Sequence, residues 1–170
     1  MRTFVIALQL FSFTAVLMAP ASTITQAVGD ALVELGFSTT QIDERPSDEN
    51  AILININAAR HATGVAPLVL DARLCGIALN HARDMLLHKY ISHTTPDGES
   101  PYDRMRTAGY AFSYAGENIA LNADRGSAER ALMASEAHRW NILEPHYGHI
   151  GIAALVANVS QVLIVEVFSD

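Results

Sequence analysis

Two runs rich in valine and isoleucine, residues 150–157 and 161–168, stand side by side near the C-terminal end, separated only by Asn158-Val159-Ser160. Runs of that length and composition predict two paired strands. The apolar periodicity upstream of them falls at helical spacing instead. Helices first and strands last imply an antiparallel sheet covered by helices, and argue against a series of parallel βαβ units.

The first helix is expected over 49–63, where Ile52, Ile56 and Ala59 share a face, Ser47 or Asp48 can cap, and Gly64 with Pro67 stops the element. Asp71 can cap a second helix whose Leu74, Ile77, Ala78, His81, Ala82 and Met85 trace one apolar stripe, running to about Lys89. His81 on that stripe reads as a core histidine satisfied by a backbone carbonyl. Thr95-Pro96-Asp97-Gly98 is a turn by composition, which puts His93 on a loop beyond the second helix. Pro101 then opens a short helix to Ala108 that Gly109 ends. Gly126-Ser127 starts another, carrying Ala128, Ala131, Leu132 and Ser135 and ending near His138.

Residues 1–21 read as a secretory signal: Arg2, an apolar run interrupted by Gln9, Ser12 and Thr14, then Ala19-Pro20-Ala21. The run is too short and too polar to span a bilayer comfortably, so no stable transmembrane segment is expected after cleavage, and the protein is expected to be secreted or periplasmic. Residues 22–49, acidic around Pro46, read as leader and linker, and 50–170 as one domain. With 11 Lys and Arg against 18 Asp and Glu, and no basic cluster, nucleic acid is excluded as a partner. Cys75 is the only cysteine, so no intramolecular disulfide forms and the core holds by packing. Within its helical pattern Cys75 reads as a small packed residue.

Chemistry is concentrated in His93, Glu117, Glu136 and His138. Two neutral imidazoles with one carboxylate and an open position suit zinc, a set that these four residues could supply if they converge. Equally open is a structural alternative, in which the His–Glu pairs and an asparagine form a hydrogen-bonded network that fastens loops over the sheet. A Ser135–His138 nucleophile is disfavoured, because Ser135 shares the inward stripe with Leu132 and no orienting acid or oxyanion hole is evident.

Ile91-Ser92-His93-Thr94-Thr95-Pro96-Asp97-Gly98, Gly109-Tyr110, Ala115-Gly116-Glu117-Asn118-Ile119-Ala120 and Ser135-Glu136-Ala137-His138-Arg139-Trp140-Asn141-Ile142-Leu143 follow one another in a distinctive order. Together with Asn57, Arg60, Arg104, Pro145, Tyr147 and Ile150-Gly151 they resemble the CAP superfamily, or SCP-like proteins, in its bacterial exported branch. That superfamily groups cysteine-rich secretory proteins, insect antigen 5 and plant pathogenesis-related proteins. The resemblance covers about 50–168.

What it implies is an α+β fold: an α-β-α sandwich with a central, mainly antiparallel sheet flanked by helices and a cleft receiving two histidines and two glutamates. Some relatives bind a divalent ion there, and others bind lipids or sterols. By motif, His93 and His138 match the histidines and Glu117 the Gly-Glu-Asn glutamate, and the resemblance makes these three the candidate metal ligands. Glu136 is a further candidate, although residues 136 and 138 of an unbroken helix point about 200° apart, so both reach one cleft only if the helix loosens. Leu132 and Val165-Glu166-Val167-Phe168 depart from the usual pattern, so the cleft rim is expected to differ, with Trp140 a surface or rim aromatic. The expected function is a non-enzymatic extracellular or envelope module whose cleft takes a divalent cation, zinc the most plausible, or a small, even lipid-like, ligand. Its partner is an unknown small ligand or an extracellular protein. The alternative is a metal-assisted hydrolase acting on protein or cell-wall material.

Overall fold

The computed structural model of the chain describes residues 44–170. The expected signal segment and all but the end of the expected leader lie outside the described residues.

Helix α1 spans Pro46–Ala62. It starts three residues before the expected position, with Arg45 rather than Ser47 or Asp48 at the cap, because the fixed φ of Pro46 suits the first helical turn. Asp48 and Glu49 in that turn and Arg60 with His61 in the last one complement the helix dipole. Two-residue strand β1 (Val69–Leu70) leads into α2 (Ala72–His88), where Asp71 accepts hydrogen bonds from the backbone N–H of Arg73 and Leu74, as expected. Helix α3 (Pro101–Thr107) opens on a reciprocal capping box between Ser100 and Asp103 and ends before Gly109, whose φ of 66° is the left-handed conformation that favours glycine.

Strand β2 covers Ala115–Asn122. The single helix expected to end near His138 is two helices, α4 (Arg125–Ala134) and α5 (Glu136–Leu143), broken at Ser135. Strands β3 (His149–Asn158) and β4 (Gln161–Ser169) form the expected hairpin.

The sheet order is β1-β3-β4-β2. β4 pairs antiparallel with both β3 and β2, and only short β1 runs parallel to β3. One face packs Ile150, Ile152, Ile164 and Phe168 against Ile52, Ile56, Leu132 and Ile142 of α1, α4 and α5. The other packs Ala153, Leu155, Leu163 and Val165 against Leu74, Ile77, Met85 and Met105 of α2 and α3. Burial on both faces is why β3 and β4 read as near-continuous apolar runs rather than alternating ones. The result is the expected α+β sandwich.

Two polar devices hold the layers. Arg60 is fully buried and donates to four backbone carbonyls, those of Ala66, Ile142, Glu144 and Tyr147, at 2.7–3.0 Å. It thereby satisfies the C-terminal end of α5 and the chain that enters β3. Half-buried Cys75 lies under the backbone N–H of Ile152, 3.5 Å away, and burial pushes its thiol pKa up, consistent with a packed residue.

Gly151 sets how closely α2 approaches the sheet. A Cβ there would lie 2.0 Å from Leu74 C and 2.3 Å from Cys75 N, both backbone atoms that cannot step aside. Gly151→Ala is therefore expected to destabilise the domain by about 3 kcal/mol or to prevent folding. Urea unfolding that leaves the midpoint unmoved would remove the packing argument.

Candidate functional site

The site is organised by two consecutive residues of β2. Side chains alternate along a strand, so Glu117 and Asn118 project to opposite faces of the sheet. Both are buried although they lie on an edge strand.

Glu117 meets the layer built by α2 and α3. Its Oε1 is 2.8 Å from His93 Nδ1, and its Oε2 accepts from Arg104 Nη2 at 2.7 Å. Arg104, itself buried, also donates through Nη1 to the carbonyls of His93 and Glu99, so α3 fastens both the carboxylate and the loop that carries the imidazole. His81 closes the wall, with Nε2 on the carbonyl of Ser92 at 2.9 Å and 4.0 Å from Glu117 Oε1. Burial holds its pKa below the ordinary histidine value, against the opposing pull of Glu117. The sequence reading of His81 as a core histidine on one carbonyl holds, and the structure adds its place beside Glu117.

Asn118 meets the layer that contains α5. Its amide donates to the carbonyl of His138 at 3.2 Å and to Glu166 Oε2 at 3.0 Å, while its oxygen accepts from Asn141 at 2.9 Å. Asn141 also donates to the Glu117 carbonyl. The His138 ring turns back on the helix break, Nδ1 2.8 Å from Ser135 Oγ. Partial burial and then the charge of His93 hold the His138 pKa below its ordinary value. Gly116 lets β2 lie close under Tyr147 and Asn141, since a Cβ there would lie 2.6 Å from Tyr147 Oη and 2.8 Å from Asn141 Oδ1.

The four expected site residues are thus not equivalent. His93 and Glu117 are hydrogen-bonded, whereas His138 bonds neither and pairs instead with Ser135. Glu136 is exposed and borders a separate surface groove with Arg139, Trp140 and Pro145. The helix does break, but at Ser135, so residues 136 and 138 remain on one continuous helix and diverge. Trp140 is 60 % exposed, the surface aromatic expected. Among the described residues no group of three or more His, Cys, Asp or Glu side chains is placed to hold a metal ion. Both Glu117 oxygens have partners, His93 and Arg104. Each imidazole commits Nδ1 to a neighbouring oxygen and keeps Nε2 for another partner.

Arg104, Asn118, Asn141 and Glu166 were not assigned roles from sequence. The one local signal belonged to Glu166, a carboxylate inside a Val/Ile run. It is 1 % exposed, faces α1 and α4 across a cavity of about 50 Å³ shared with Asn55, Glu129 and Leu132, and burial raises its pKa to about 7.

The family model that describes the cysteine-rich secretory protein family, CAP, matches residues 53–168. The chain belongs to this family. It is 35 % identical over 136 residues to the uncharacterised protein YkwD of Bacillus subtilis, a match covering 79 % of this chain and 53 % of YkwD. The chain therefore spans about half the length of that curated relative. An extracellular protein containing an SCP domain from Bacillus anthracis superposes with a TM-score of 0.63 at 27 % identity, over 71 % of this chain and 39 % of that one. An outer surface protein of Borrelia burgdorferi superposes with a TM-score of 0.71 at 19 % identity, over 76 % of this chain and 98 % of its own, a likeness of fold.

Glu166 generates a test with a definite sign. A carboxyl whose pKa rises from 4.5 unfolded to about 7 folded binds more protons in the native state, so the contribution of Glu166 to stability is fully present below pH 4.5 and is lost as pH rises to about 7. Glu166→Gln, which retains an acceptor for Asn118, removes that fall. At pH 8 the variant is expected to exceed wild type by up to about 3 kcal/mol, the difference vanishing near pH 4. Parallel stability–pH curves for the two proteins would refute it.

Proposed function

We propose that this CAP domain is an exported binding module, and that its cleft takes a divalent cation, zinc the most plausible, through Nε2 of His93 and Nε2 of His138. The carrying observation is the 2.8 Å contact between His93 Nδ1 and a Glu117 carboxylate that Arg104 locks in place. A carboxylate behind an imidazole fixes the Nδ1–H tautomer and leaves the Nε2 lone pair outward, the arrangement that supports metal-ligating histidines. In this reading Glu117 orients a ligand and is not itself one. Bound zinc would act as a Lewis acid, with the remaining positions filled by water or by donors of a small or lipid-like ligand or an extracellular protein.

Binding is favoured over hydrolysis because neither candidate carboxylate is placed as a general base: Glu117 has both oxygens engaged, and Glu136 borders another groove. Export is supported by the signal-like residues 1–21 and by relatives described as extracellular or outer-surface proteins. No helix among the described residues is long and apolar enough to cross a membrane.

Zinc titration by calorimetry on tag-free protein tests the reading. Wild type is expected to bind one equivalent, His93→Ala and His138→Ala to lose it, and Glu117→Gln to bind about 10–100-fold more weakly. Equal zinc affinity in wild type and both histidine variants would overturn the cation site. Metal-dependent cleavage of a peptide library or cell-wall material that His138→Ala abolishes would establish the hydrolase instead.

A further inference from the structure

A carboxylate stays ionised away from water only with several donors or an opposite charge beside it. Glu166 has neither. It is 1 % exposed, and among the described residues a single donor reaches it, Asn118 Nδ2 on Oε2 at 3.0 Å. Its register partners are Asn118 on β2 and Ile152 on β3. Around the cavity of about 50 Å³ that it lines, α1 supplies Asn55, α5 supplies Ile142 and α4 supplies Glu129. Glu129 is the one other charged or titratable side chain of that lining, and its charge has the same sign.

Glu129 also fastens the seam between the two helices. Asn55 Nδ2 of α1 donates to both of its oxygens, at 3.1 and 3.3 Å, and Arg125 Nη1 donates to Oε2 at 2.9 Å. Arg125 Nε reaches back to Asp48 of α1, 3.3 Å from Oδ1. The polar closure of the seam is therefore two contacts between partly exposed side chains, Asn55 with Glu129 and Asp48 with Arg125.

The two sets of forces are unequal. Partly exposed ion pairs contribute little, whereas an ionised carboxylate buried without a counter-charge, and facing a second one, is costly. Strand β4 is paired along its length with both β2 and β3, so Glu166 cannot leave with its strand. What can give is the seam over it, and the cavity beneath has room for water.

We propose that Glu166 and Glu129 form a proton-operated latch between α1 and α4: the seam is shut while Glu166 carries its proton, and loss of that proton to solvent parts the helices locally and lets water in. Burial first, and then the charge of Glu129, raise the Glu166 pKa to about 7, so the latch operates across neutral pH and is shut on the acid side. It lies on the sheet face opposite the Glu117 carboxylate and needs no cation in the cleft, so it and the zinc reading succeed or fail separately.

Hydrogen exchange on the full chain, corrected for intrinsic rates, reads the seam, and the ¹³Cδ signal of Glu166 reads the proton. Protection of α4 amides is expected to fall about tenfold between pH 6 and pH 8.5, the ratio that follows if a carboxyl titrating at about 7 in the shut state returns to 4.5 once hydrated. Exchange at the seam is expected to be faster than in α2, on the other face of the sheet, and far less sensitive to low urea, because the opening exposes little surface. Glu166→Gln is expected to abolish the pH effect. Glu129→Gln, which removes the like charge, is expected to move the Glu166 titration to lower pH. A Glu166 signal that titrates near 4.5, one common urea slope for α4 and α2 amides, an undiminished pH effect in Glu166→Gln, or an unmoved titration in Glu129→Gln would each overturn the latch.

Discussion

A carboxylate buried on an edge strand is the constraint around which this domain is arranged. Removing a carboxylate from water costs several kcal/mol unless opposite charge and donors replace the solvent. Glu117 obtains them from Arg104 on α3 and His93 on the loop before it, so neither element can shift without exposing the other. The backbone of that loop is held by the same guanidinium, through the carbonyls of His93 and Glu99. Charge neutralisation and loop placement are here one interaction. The next residue, Asn118, repeats the task on the opposite face with neutral groups, joining β2 to α5 and to Glu166.

Arg60 solves a related problem differently. Among the described residues it makes no ion pair, and it spreads its charge over four carbonyls, one just beyond α1 and three at the end of α5 and the entry to β3, where unsatisfied backbone oxygens would otherwise be buried. Glu144, nearby, opposes the lowering of its pKa by burial. With no disulfide available, two buried guanidiniums tie irregular segments to the sheet, and apolar packing of α1 and α2 supplies the rest.

Much of this was legible in the residues. The strand pair β3–β4, the Asp71 cap, the stripe of α2 and the turn that places His93 on a loop follow from period, propensity and turn chemistry. β2 was not assigned as a strand, because Ala115-Gly116-Glu117-Asn118 offers a glycine and two polar residues where β-propensity looks for branched or aromatic ones. Its conformation is set by pairing with β4 over eight positions, a long-range fact with no local trace. The start of α1 lies three residues earlier than its sequence suggests because Pro46, in a stretch whose acidity reads as a solvated linker, serves as a first helical residue. Of the site, the pairing of His93 with Glu117 was anticipated as a neighbourhood, whereas the guanidinium that occupies the other carboxylate oxygen was not. Arg104 sits on a seven-residue helix too short to show which face turns inward.

Ser135 ends α4 and begins α5 with an extended backbone, φ −79° and ψ 125°, and its hydroxyl holds the imidazole three residues on. The direction of His138 is thus inherited from a discontinuity in the chain. Substitutions at 134–136 that favour an unbroken helix would swing residue 138 around the axis, by about 100° for each residue of register absorbed. Drift in this short linker would redirect the imidazole across a lineage while the histidine itself and its neighbours stay the same.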